Sequence, residues 1–189
     1  MKKIFLVSIL SLAIVTFTNA QIVFNSGQTL QKGAFSVGIN PAWADFGDGD
    51  FALFMHGGYG LGHNSDLGLK LGFGWGNETY FGIDYEKTFL SGKPSFSATI
   101  GGHYWHYFGI DLGGTVTFPI QNIYLSTGLD ADIVFGEDGA GDLEMYVPMW
   151  LPIELEFYLK KHLSLIFEAD IKLTDHAFTI INGGVSIYF

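Results

Sequence analysis

From Gln21 onward, apolar residues recur at every second position in one stretch after another, and a period of two is that of a strand whose side chains point alternately to two faces. The last stretch is the clearest. Thr179, Ile181, Gly183, Val185, Ile187 and Phe189 share one face, and Ile180, Asn182, Gly184, Ser186 and Tyr188 share the other. Ile123, Leu125, Thr127, Leu129, Ala131, Ile133 and Phe135 alternate in the same way with Tyr124, Ser126, Gly128, Asp130, Asp132 and Val134. One rule applied throughout predicts strands at 34–43, 51–59, 67–75, 80–88, 95–104, 108–118, 123–135, 145–159, 163–173 and 178–189. Turn residues separate them, among them Asp48-Gly49-Asp50, Gly62-His63-Asn64-Ser65, Gly76-Asn77, Ser91-Gly92-Lys93-Pro94, Pro119-Ile120-Gln121-Asn122 and Gly136-Glu137-Asp138-Gly139. In the eighth stretch Pro148 and Pro152 each remove a ladder donor, which predicts a bulge or a shorter strand and leaves eight strands as an alternative count.

Ahead of these stretches stands a different pattern. Lys2 and Lys3 precede an apolar run from Ile4 to Phe17, and Thr18-Asn19-Ala20 closes it with small residues. This is the layout of a secretory signal peptide over residues 1–20, cleaved to leave a mature chain of 21–189, and the run is shorter than the roughly 20 residues a spanning helix needs. The 189 residues suit one domain. There is no cysteine, which excludes disulfide, thiolate and lipoprotein-type attachment chemistry.

The fold class is therefore all-β, an antiparallel up-and-down meander closed as a barrel of ten strands, an even number that returns both chain ends to one side. Alternation alone does not say which face meets water: a soluble barrel turns its apolar face inward and a transmembrane one does the reverse. Aromatic placement decides for lipid. On the apolar face Trp43, Phe51, Trp75, Phe81, Tyr104, Phe108 and Phe135 fall at one rim and Tyr59, Tyr85, Phe118, Phe157 and Phe189 at the other, and half-wet rings belong at membrane interfaces. Between them run aliphatic residues such as Leu69, Ile83, Leu112, Leu125, Leu129 and Leu155, while the opposite face combines glycines with carboxylates, a composition that suits a wet interior.

Composition changes the picture in two ways. A chain that is 48% hydrophobic and 16% aromatic nevertheless carries a formal charge of −10, or −12 once Lys2 and Lys3 are removed, and has no arginine, so nucleic acid is excluded as a partner. The acidic residues fall almost wholly on the polar face. Asp84, Glu86, Asp111, Asp130, Asp132, Glu154, Glu156, Glu168 and Asp170 are assigned to the lumen, against Lys70 and Lys172. Register estimated from turn centres sets Asp111 opposite Asp130, Glu154 opposite Glu168, and Lys70 beside Asp84 or Glu86. These carboxylates either fill the interior or line a passage that prefers small cations.

The signal segment, the alternating strands and a final strand ending in Tyr188-Phe189 together resemble the small bacterial outer-membrane β-barrel superfamily. The resemblance implies residence in the cell outer membrane, contact with outer-membrane lipid, and insertion by the barrel assembly machinery, with Phe189 as the assembly signal. It implies no substrate.

Enzymatic readings are weaker. His103 and His106 near the end of the fifth strand and Asp175-His176 in the last connector share one side of the barrel and could form an acid/base or metal group if the strands brought them together. Rim histidines that are solvated or hydrogen-bonded are the simpler expectation. No Gly-x-Ser-x-Gly elbow occurs, and Gly72-Phe73-Gly74-Trp75-Gly76 opens no helix that could cradle phosphate. The expectation is a non-enzymatic outer-membrane barrel without cofactor or metal, structural or narrowly cation-conducting. A secreted, lipocalin-like barrel holding an apolar ligand and an outer-membrane enzyme using the rim histidines are the rivals.

Overall fold

Nearly every two-faced stretch of the sequence becomes one antiparallel strand in the computed structural model, which describes residues 29–45, 49–74, 79–137 and 143–189. The expected leader at 1–20, the residues 21–28 that follow it, Trp75 and the connector at 138–142 lie outside the described residues. The strands are β1 (Phe35–Ala44), β2 (Asp50–Gly60), β3 (Ser65–Phe73), β4 (Thr79–Leu90), β5 (Ser95–Trp105), β6 (Tyr107–Ile120), β7 (Ile123–Glu137), β8 (Leu143–Tyr146), β9 (Met149–Lys160), β10 (Leu163–Lys172) and β11 (Ile180–Tyr188).

Neighbours in sequence pair antiparallel, and β1 then closes on β11, from Ser36↔Tyr188 to Ala44↔Ile180. β8 and β9 both lie along β7, with Val134↔Tyr146 and Ala131↔Met149, so the eleven strands make ten staves of a closed barrel. The break in the eighth stave falls at Val147-Pro148, where the chain loses a donor. Pro148 still accepts there, taking a bond from the Asp132 amide at 3.1 Å. Pro152 stays inside β9, opposite Asp170. Beside it the β7–β9 ladder skips from Thr127↔Ile153 to Asp130↔Trp150, and the Thr127 hydroxyl donates to the Pro152 carbonyl at 2.9 Å. Gly128 sits in that gap because a Cβ there would lie 2.0 Å from the Gly114 carbonyl oxygen.

Both ends of the barrel chain meet at one rim, here the terminal rim. Phe35 and Phe189 exchange backbone hydrogen bonds at 3.2 and 2.8 Å, and their rings stack with centroids 4.6 Å apart. Tight turns join strands at this rim: His63 and Asn64 both take φ 56°, the left-handed pairing that matches the twist of hairpin strands. At the opposite, far rim lie the connectors between β1 and β2, β3 and β4, β5 and β6, β7 and β8, and β10 and β11.

Leu112 stands mid-strand, opposite Ile100 and Ala131, and is 43% exposed on the outside of the barrel. Leu112→Arg should therefore cost about 2–4 kcal/mol when the barrel sits in a bilayer, while Leu112→Phe should be nearly neutral. Equilibrium unfolding from phospholipid vesicles measures both; an equal, small effect would contradict the lipid-facing assignment.

Candidate functional site

The interior is where this chain departs from an ordinary barrel. Along each strand the inward positions are buried and the outward ones exposed, and the exposed positions are the apolar ones: Val37, Ile39, Leu53, Leu69, Ile83, Ile100, Leu129, Leu155 and Ile187 all face out. Buried on the inner face are ten carboxylates among the described residues, with one buried lysine, Lys70. The barrel is inside out. A water-soluble, ligand-holding barrel has the opposite arrangement, so that rival fails, and a closed barrel with this surface is one that spans lipid.

Inward residues sort into three levels along the axis. Nearest the far rim, Ala42, Ala44, Ala52, Phe54, Tyr80, Trp150, Phe178 and Ile180 pack into an apolar cluster with Trp105 against it. Phe54 and Tyr80 meet edge to face at 5.8 Å, as do Trp150 and Phe178 at 6.4 Å. The Trp150 indole N–H is satisfied by the Phe178 carbonyl at 2.9 Å. The middle level is acidic. Lys70 Nζ lies 3.0 Å from Asp84 Oδ2, the ion pair expected from sequence. Glu154 faces Glu168 across β9 and β10, also as expected, and Asn182 bridges outward from there, donating to Glu168 at 2.9 Å and accepting from Asn40 at 3.2 Å. Glu154 Oε1 is buried with no hydrogen-bond partner. Nearest the terminal rim the wall is rich in hydroxyls, with Thr117 and Ser126 bonded at 2.9 Å and Tyr188 donating to Glu156. A cavity of about 60 Å³ remains between His56, Asp66, Lys70, Asp84, Glu86 and Glu154, room for a few waters only.

Several expectations are corrected. Asp111 faces Asp132, and Asp130 faces Gly113, because Pro119 and Ile120 stay in the ladder and the β6–β7 turn is only Gln121-Asn122. Lys172 has inward parity but lies at the far end of β10, where it is exposed, so it is not a lumen charge. The far level of the interior is packed with apolar rings, where a wet lining was expected. His103 is an interior residue, 3% exposed and bonded through Nδ1 to Asp111. His106 is exposed in the β5–β6 turn with φ 62° against Tyr107, and His176 lies in the β10–β11 connector. His103 thus joins the interior acids rather than the rim. Asp84, Glu86, Asp130, Asp132, Glu156 and Asp170 are buried where sequence put them.

Sequence reasoning missed Asp66, His56 and Tyr80. Asp66 shares inward parity with Gly68 and Lys70, one position ahead of the predicted strand start. It accepts from the Leu30 amide at 2.8 Å and so ties the segment before β1 to β3 near the terminal rim. Comparison with known proteins adds little. No family model matches the chain, and no curated protein does. Among solved structures it is similar to a de novo designed transmembrane β-barrel (8% identity, 85% of this chain and 99% of that one, TM-score 0.48). It is also similar to the outer membrane protein Omp33 of Acinetobacter baumannii (9% identity, 84% and 99%, TM-score 0.45). A third is the N-terminal β-barrel domain of Pseudomonas aeruginosa OprF (11% identity, 85% and 100%, TM-score 0.41). Likenesses this distant carry no functional argument, and the membrane reading rests on the surface of the barrel itself.

The Lys70–Asp84 pair is the one buried ion pair of opposite full charges among the described residues. Lys70→Met leaves Asp84 uncompensated inside the barrel and should cost about 3–5 kcal/mol, whereas Lys70→Met with Asp84→Leu should recover most of that loss. Urea unfolding of the single and double variants in detergent checks the cycle; additive losses would show that the pair is not coupled.

Proposed function

We propose that this chain is a non-enzymatic integral protein of the bacterial outer membrane that serves as a closed, structural barrel. The observation that carries the reading is the near-zero exposure of Phe54, Trp150 and Ile180 on the inner face. A water-filled passage at their level would expose them. At the other end, the Leu30 amide bonds the Asp66 carboxylate and Leu30 joins the lining of the cavity there. The secretory leader and the terminal Tyr188-Phe189 support the outer membrane as the location, with its lipid and the barrel assembly machinery as partners. In this reading Phe189 serves both assembly and the seam. Phe189→Ala keeps the backbone bonds and loses a stack worth about 0.5–1.5 kcal/mol. It should lower the inserted amount in cells more than that small loss explains; unchanged membrane levels would remove Phe189 as a signal.

A second reading is favoured by one feature: the acidic middle level is the lining a cation-preferring passage uses. Conduction would require the apolar level to yield. Planar-bilayer recording separates the two. Wild type should show no steady conductance, and Trp150→Ala with Phe178→Ala, folded by gel mobility before and after heating, should open a cation-selective one. Steady conductance by wild type would overturn the closed reading in favour of the passage.

A further inference from the structure

Three adjacent strands bring one imidazole and two carboxylates together in the interior. Asp111 on β6 pairs with Asp132 on β7, and His103 on β5 lies two positions along from Gly101, the β5 partner of Asp111. One ligand atom from each of His103, Asp111 and Asp132 lies within 4.8 Å of the others, and all three residues are buried. Space for the ring is built in: a Cβ at Gly109, opposite His103, would lie 2.3 Å from the imidazole Cε1. A second, independent feature points into the group. Tyr80 is 2% exposed and stacks on His103 with centroids 5.6 Å apart, yet its hydroxyl has no hydrogen-bond partner.

We propose that His103, Asp111 and Asp132 bind a divalent transition-metal cation, zinc being the probe, with Tyr80 bonded to a water in its remaining position. An imidazole with two carboxylates suits such a metal better than calcium or magnesium, which favour all-oxygen shells. A dication also neutralises two carboxylates in a region that has ten of them buried and one lysine, where uncompensated charge is costly. A metal-bound water would donate to the Tyr80 hydroxyl oxygen and so supply its missing partner. The inference is independent of whether the barrel conducts.

The test uses the mature chain refolded into detergent with zinc sulfate, passed over chelating resin, and assayed for metal by mass spectrometry. One zinc per folded chain is expected. His103→Ala and Asp132→Asn should each fall to background while still showing the folded gel mobility, and Glu154→Gln, elsewhere in the acidic level, should keep its zinc. Wild type free of zinc, or zinc retained by both ligand variants, overturns the site. Cobalt in the wild type needs no variant to fold. Intense visible bands of a four-coordinate ion support the proposal, and the weak spectrum of six-coordinate, water-dominated cobalt overturns it.

Discussion

The constraint on which everything else depends is closure of the backbone ladder at the β1–β11 seam. In hydrocarbon an unpaired amide or carbonyl has no water to turn to and costs several kcal/mol, so a sheet can cross lipid only if its first and last strands find each other. Here they pair from Ser36↔Tyr188 to Ala44↔Ile180, and Phe35 and Phe189 finish the seam. Closure fixes the sense of every side chain. With the apolar positions committed to the outer surface, the polar positions have nowhere to go but inward, and the interior must accommodate whatever they are.

That interior is crowded, and its crowding explains the glycines. Gly68 lies against the Asp84 carboxylate and Gly109 against His103; a Cβ at either place would come within 2.3 Å of those side chains. Small inward residues on one strand make room for large polar ones on the next, which is how ten buried carboxylates fit inside ten staves. Their charge is met in several ways: by Lys70 at Asp84, by the Asn40–Asn182–Glu168 chain, by Tyr188 at Glu156 and by His103 at Asp111. Glu154 Oε1 has no such partner.

Strand positions, the closed ten-stave architecture and the direction of nearly every side chain were legible in the sequence, because a period of two is a local property that survives folding unchanged. Parity says which face a residue takes, and says nothing of depth. Lys172 has the same parity as Asp170 but is one pair further along and emerges at the rim, whereas His103 is far enough from the end of β5 to be swallowed. On β9 and β10 the expected facing of Glu154 and Glu168 holds, but the Lys161-His162 turn alone, pairing Leu163 with Lys160, would set Glu154 against Ala169; a bulge at Leu163/Ser164 supplies the one-residue shift. Register slipped at β6–β7 because Pro119-Ile120 looks like turn chemistry and yet stays paired with Tyr124 and Ile123. The apolar far level was hidden for another reason. Phe54, Tyr80, Trp150, Phe178 and Ile180 are scattered through the chain, and each alone reads as an exception to its strand's polar face.

Those exceptions act together, and their position along the axis matters more than their number. The acidic level lies between the aromatic cluster and the hydroxyl-lined terminal mouth, near which Leu30 is tied to Asp66. A charged group that enters this level from the far rim after folding must displace packed rings. Interior packing resists such displacement because its voids are few and its side chains interlock. The acidic level is therefore balanced first by groups that the chain itself carries to that depth, Lys70, Asn182 and His103 among them, and these are fixed by strand register rather than by recruitment through the far rim.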